Sequence, residues 1–188
     1  MSVDSRAALF LMLGQTAERS IAKLDDVVPG EMLLLSPSYD LAPLLPDSVR
    51  RATRAAEAYR LFFVFENFLR EFVLDVLSRD ATTSWWEHVP PDVRTEVEKL
   101  EQTEEVKSWM ALGSRDKSSL MTFPQLLRVI DHSWKEGFSE VVRDKGLIQG
   151  ARLIVHLRNT ICHMSDIPDE EVDRIRQTMR DWFRIVSP

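Results

Sequence analysis

Between residues 47 and 79 the chain holds neither proline nor glycine, and its apolar positions recur with a helical spacing. Leu61, Val64, Phe65, Phe68, Phe72 and Val76 follow the i, i+3, i+4, i+7 rhythm that sets side chains on one face of an α-helix. Phe62, Phe63, Leu69, Val73 and Leu77 widen that stripe, so this helix is expected at the centre of a bundle, buried on much of its circumference. Asp47 or Ser48 can cap it, because their side-chain oxygens accept from the free amides of a first turn. A helix from Asp92 to about Leu112 is rich in Glu and Lys and therefore expected to be exposed. Phe123-Pro124 opens another, with Leu126, Leu127, Val129 and Ile130 inward, and a short piece spans Trp134 to Val142. Gly146 precedes a helix with Leu153, Ile154, Leu157 and Ile161 on its apolar face, and the last helix aligns Val172, Ile175, Met179, Trp182 and Val186.

Asp4 to Leu24 also has helical composition. Its apolar run from Ala7 to Leu13 follows Asp4 and lacks a clean cleavage site, so it reads as a helix that packs on something and not as a signal peptide. From Val27 to Asp47 the chain is irregular but apolar, with Pro29-Gly30, Ser36-Pro37-Ser38 and Pro43 to Pro46, and is expected to lie along the body. No strand alternation of useful length and no repeat occurs. The reading is all-α, a helix bundle with short links, divided into an N-terminal helix and apolar connection over residues 1–46 and a helical domain over 47–188.

Composition narrows the function classes. A 44% hydrophobic, 29% charged chain has a real core. The formal net charge of −6 argues against coating nucleic acid through a broad basic face, though not against a local basic site, and no DNA binding is expected. A single cysteine, Cys162, excludes an intrachain disulfide and suits a reducing cytoplasm. No apolar run reaches the ~18 residues of a membrane span.

One constellation suits chemistry. On a helix, Asn159 and His163 lie about 40° apart, with His156 about 60° from Asn159. Arg152 falls on this stripe and Arg158 lies beside it. These types suit phosphodiester cleavage: histidine exchanges protons near neutrality, guanidinium grips a phosphate and steadies developing charge, and asparagine orients either. RNA supplies its own 2′-hydroxyl nucleophile, so neither a metal nor a cofactor is expected. A solvated polar helix face is the plainer reading of these residues alone. Cys162, about 100° from His163, is expected to fill core, and His88 and His132 to be surface residues.

Arg158-Asn159-Thr160-Ile161-Cys162-His163 resembles the R-N-x-x-x-H motif of HEPN domains. It lies near the end of the penultimate long helix, before a proline-containing turn and an acidic-started final helix. Tyr59-Arg60-Leu61-Phe62 through Glu66-Asn67-Phe68-Leu69-Arg70, with Trp85-Trp86 after it, is similar to the first long helix of the Swt1-type HEPN subgroup. The resemblance covers roughly residues 48–186 and implies a HEPN-like helix bundle with an N-terminal helical extension. It further implies a metal-independent RNA endonuclease, a toxin or antiviral defence effector, acting as a homodimer whose two motif helices form one cleft. Arg158 would then bind the scissile phosphate, His163 transfer protons and Asn159 orient them. Arg152 and His156 would contact substrate, and Glu66, paired with Arg158 or Arg70, would hold the geometry. Ser165 stands where one toxin subgroup carries a modified tyrosine, so that control is not expected. The alternatives are a non-catalytic HEPN-fold dimerisation or partner-binding module, and an antitoxin-like or regulatory subunit that docks a protein partner through its N-terminal helix.

Overall fold

The computed structural model describes residues 3–21, 33–79, 81–106 and 116–186. The expected helix ends at Leu24 and Leu112, and the Pro29-Gly30 pair, lie outside them. The chain forms two compact units, Met1–Arg54 and Ala55–Pro188.

The first unit contains α1 (Val3–Ile21) and a small hairpin of β1 (Leu34–Ser36) and β2 (Tyr39–Asp40), with Leu34 opposite Asp40. The hairpin departs from the irregular segment expected from the sequence. Its closure is local: the Asp40 carboxylate accepts from the amides of Leu33 at 2.9 Å and Ala42 at 3.0 Å, and Leu41 N–H donates to the Leu33 carbonyl at 2.9 Å. Leu9 to Leu13 are all exposed, as are Leu33 to Leu35.

Helix α2 runs Pro46–Leu77, 32 residues and about 48 Å long. It starts at Pro46, one residue before the expected caps, in the first turn where a missing N–H costs nothing. In the second unit its buried face is Ala58, Phe62, Phe65, Leu69, Phe72, Val73 and Val76. Phe63 and Val64, counted in the widened stripe, are 58% and 53% exposed. A 3₁₀ turn at Trp85–His88 leads into α3 (Pro91–Val106), an exposed helix that buries Val93 and Val97. After α4 (Lys117–Leu120) comes α5 (Phe123–His132), whose start is held by Gln125 Oε1 accepting from the Thr122 amide at 2.7 Å. Its Leu126, Leu127, Val129 and Ile130 are buried, as the spacing predicts.

A π-turn at Trp134–Phe138 and α6 (Ser139–Val142) follow. Gly137 sits there at φ 122°, where a Cβ would also press within 3.1 Å of Val76 Cγ1, so only glycine fits. The expected single helix after Gly146 is two: α7 (Gly146–Leu153) and α8 (Val155–Cys162). At Ile154 (φ −92°, ψ 0°) the amide turns to the Ala151 carbonyl, three residues back, at 3.3 Å. Ile154 is buried, while Leu153, expected to face inward, is 64% exposed. Neither proline nor glycine marks the break, so packing imposes it. Helix α9 (Asp169–Val186) buries Val172, Ile175, Met179 and Trp182.

Aromatic edges hold the centre of this unit. Phe65 meets Phe123 at 5.4 Å and Trp182 at 6.0 Å between ring centroids, and Phe72 meets Phe138 at 5.4 Å. The fully buried Trp182 indole donates to the Leu147 carbonyl at 3.2 Å, which satisfies the one polar atom that this ring brings into the core. The periphery is pinned by charge: Arg128 of α5 bonds Asp92 and Glu96 of α3, each at 2.6 Å.

Candidate active site

Tyr59, Phe62, Phe63, Glu66, Asn67 and Arg70 fall at helical i, i+3, i+4, i+7, i+8 and i+11 positions, one long face of α2. Arg158, Ile161 and Cys162 make the matching face of α8. The two faces enclose a cleft of about 200 Å³. Its wall carries a three-residue ion cluster. Glu66 Oε1 accepts from Arg70 Nη2 at 3.3 Å, and Glu66 Oε2 accepts from Arg158 Nε at 3.4 Å. One carboxylate therefore pairs with two guanidiniums. All three side chains are mostly covered, at 16%, 15% and 25% exposure respectively. Partial burial makes such pairs stronger than open surface ones and makes an unpaired member costly.

The two arginines are used differently. Arg70 is spent on structure: Nε donates to the Ser118 carbonyl at 2.8 Å, Nη2 to the Met121 carbonyl at 3.1 Å and Nη1 to Asn67 Oδ1 at 2.6 Å. Arg158 makes a single long bond through Nε, and its two terminal nitrogens take no partner among the described residues. A guanidinium held by one edge, with its fork free at a cleft, is arranged to receive an oxyanion.

His163 is the C-cap of α8, exposed, with its N–H accepted by the Asn159 and Thr160 carbonyls at 3.0 and 3.2 Å. Met164 follows at φ 58° and donates to Ile161 at 2.9 Å, and Ser165 donates to Thr160 at 3.1 Å. This double closure is the Schellman arrangement, and it fixes the backbone of His163 without a glycine. Asn159, one turn before His163, is exposed on the same side. Arg158 and the pair Asn159–His163 thus occupy adjoining faces of α8, the arginine toward the cleft and the others toward solvent.

Two other residues singled out in the sequence stand apart. Arg152 lies before the Ile154 break and bonds Asp131 at 2.7 Å, which Lys145 also bonds at 2.6 Å. Arg152 lines a separate shallow cleft of about 300 Å³ with Arg128, His132 and Asp92. Those two cations hold the Asp131 carboxyl below the ordinary aspartate range, the Lys145 bond contributing most. His156 is exposed, and its carbonyl accepts from Thr160 Oγ1 at 2.9 Å. Cys162 does not fill core; it is exposed at the rim of the first cleft. His88 is half-buried, not superficial, with Nδ1 2.7 Å from Glu136 Oε2. Tyr59 and Phe63 line the cleft without having been named for it. The four-residue spacing from Tyr59 to Phe63 and on to Asn67 was the available signal, masked by reading Phe63 as core.

The family model described as Swt1-like HEPN matches residues 60–187. This chain belongs to the Swt1-like HEPN family. The match includes Glu66 and Arg70 on α2 and the whole Arg158-to-His163 segment on α8, and it agrees with the all-α bundle built by α2 to α9. No curated protein and no solved structure matches the chain. No described helix of this HEPN protein is long and apolar enough to cross a membrane.

Proposed function

We propose that this HEPN protein is a metal-independent RNA endonuclease whose site is completed by a second copy of the chain, and that it works as a toxin or defence effector. The observation that carries this reading is Arg158: mostly covered, lining a cleft and tethered through Nε to Glu66, with neither terminal nitrogen bonded to a described residue. Alone, one copy offers a phosphate a single fork, with His163 on the adjoining exposed face. Pairing two α8 helices about a twofold axis would bring two guanidiniums and two imidazoles to one groove.

In the proposed reaction the RNA 2′-hydroxyl attacks the neighbouring phosphorus and the bond to the 5′-oxygen breaks. The products are a 2′,3′-cyclic phosphate and a 5′-hydroxyl. One imidazole takes the 2′-hydroxyl proton and the other, protonated, gives one to the leaving oxygen. Arg158 from each copy meets the charge on the phosphorane oxygens, and Asn159 orients the reacting groups.

The full chain, incubated with RNA in chelator-containing buffer, is expected to cut it. Arg158→Ala and His163→Ala are each expected to lower the rate at least 100-fold with unchanged helical content, in line with loss of a charge-stabilising or proton-transferring group. Cleavage that survives both substitutions removes the proposal. An antitoxin-like or regulatory subunit that docks a protein partner through its N-terminal helix is the second reading, favoured by the exposed apolar run Leu9 to Leu13 of α1. It predicts RNA left intact, and capture of a protein partner that is lost when residues 1–46 are deleted.

A further inference from the structure

Two aromatic side chains stand at the mouth of the α2–α8 cleft with no core function. Tyr59 is 56% exposed and Phe63 58%, and their ring centroids lie 6.2 Å apart at an interplanar angle of 34°. They share the cleft with the unused fork of Arg158. We infer that Tyr59 and Phe63 are a stacking platform for one unpaired nucleobase of the RNA, placed next to the phosphate that Arg158 holds. The inference rests on the RNA-cleaving reading and names its substrate class: single-stranded RNA.

Three considerations favour a nucleotide over an apolar protein surface. First, an apolar cover would strand the free donors of Arg158 away from water, which is unfavourable. A nucleotide supplies an aromatic face for the rings and oxygens for the guanidinium together. Second, the chain carries a formal net charge of −6 and most of the Arg70 donors are already taken, so the cleft grips a polyanion with little charge of its own. Base–aromatic stacking then has to carry affinity, as it does in single-strand binders. Third, the cleft, about 200 Å³, suits one planar ring and a phosphate edge better than a folded RNA surface. Bases inside a duplex are covered on both faces by their neighbours, so only an unpaired base can use the platform.

The test is fluorescence anisotropy with the full chain and a labelled short RNA carrying 2′-O-methyl groups throughout, which blocks the internal nucleophile and allows binding without cutting. The same strand annealed to its complement is the comparison. Single strand is expected to bind more tightly than duplex. Tyr59→Ala and Phe63→Ala should each weaken single-strand binding roughly 5- to 150-fold, the range of one base–aromatic stack, and Phe63→Trp should retain it. Leu100→Ala, at an exposed apolar position on α3, should leave binding unchanged. Light scattering of each variant should show the oligomeric state of the unaltered chain. No binding of single strand, equal affinity for duplex, indifference to both alanine substitutions, or loss of the oligomer in Phe63→Ala would each overturn the inference, the last by making the rings an interface between copies. A chain that binds unpaired RNA through these rings yet never cuts it overturns the nuclease reading alone.

Discussion

Met164 holds an unfavourable backbone conformation that a single substitution can relieve. Its φ of 58° is left-handed, a region that costs an L-residue roughly 1–2 kcal/mol and glycine almost nothing. The conformation persists because the Met164 and Ser165 amides close the last turn of α8 on Ile161 and Thr160. The side chain is 88% exposed, so deleting it forfeits little buried surface. Glycine adds about 0.5–1 kcal/mol of freedom to the unfolded chain, which offsets part of the relief. Met164→Gly should therefore stabilise the protein by about 0.5–1 kcal/mol, or raise Tm by roughly 1–4 °C for a chain of this size. Met164→Val, which forces a branched side chain into the same region, should move stability the other way by about 1 kcal/mol. Urea unfolding read by helical circular dichroism gives the comparison, with the midpoint shifting and the slope constant. Equal midpoints for the methionine, glycine and valine forms would refute the strain argument. RNA cleavage by Met164→Gly is expected at the level of the unaltered chain, because both backbone bonds that hold His163 remain.

Glu66→Gln keeps the shape of the side chain but removes the charge between Arg70 and Arg158. Stability should fall by about 1–2 kcal/mol by denaturant titration, because Arg70 keeps its three other bonds, and RNA cleavage should fall about tenfold as Arg158 loses its tether. Asp131, held below its ordinary range by Lys145 and Arg152, contributes stability that is present above the unfolded aspartate value of about 3.9 and lost as pH falls through the lower folded value. The stability difference between the unaltered chain and Asp131→Asn should therefore be constant from pH 7 to about 5 and shrink below about 4. A difference that grew on acidification would reverse the sign of that linkage.

Much of the bundle was legible in local pattern, because a helix long enough to bury a stripe must repeat its apolar residues near every 3.6 positions. Trp182 and its partners on α9, and Leu126 to Ile130 on α5, lie inside as their spacing predicts. The motif residues were legible too, since Arg158, Asn159 and His163 are close in sequence and one helix relates them. The pairing of Glu66 with an arginine was anticipated as either Arg70 or Arg158, and the fold makes both. The misreadings share one cause. Phe63, Val64, Leu153 and Cys162 are apolar, yet exposure depends on which elements pack against them, and none of their neighbours in sequence records that.

What the sequence by itself determined is therefore the helical class, the buried stripes of its long helices and the placement of Arg158, Asn159 and His163 near the end of the penultimate one. Tertiary structure alone decided the break at Ile154, which gives Arg152 to Asp131 and leaves Arg158 to the α2 cleft. It also decided that Arg70 is spent on the Ser118 and Met121 carbonyls while Arg158 keeps its fork free. Periodicity is a property of a few adjacent turns, whereas the partner of a charge and the side that a ring shows to water depend on groups dozens of residues away.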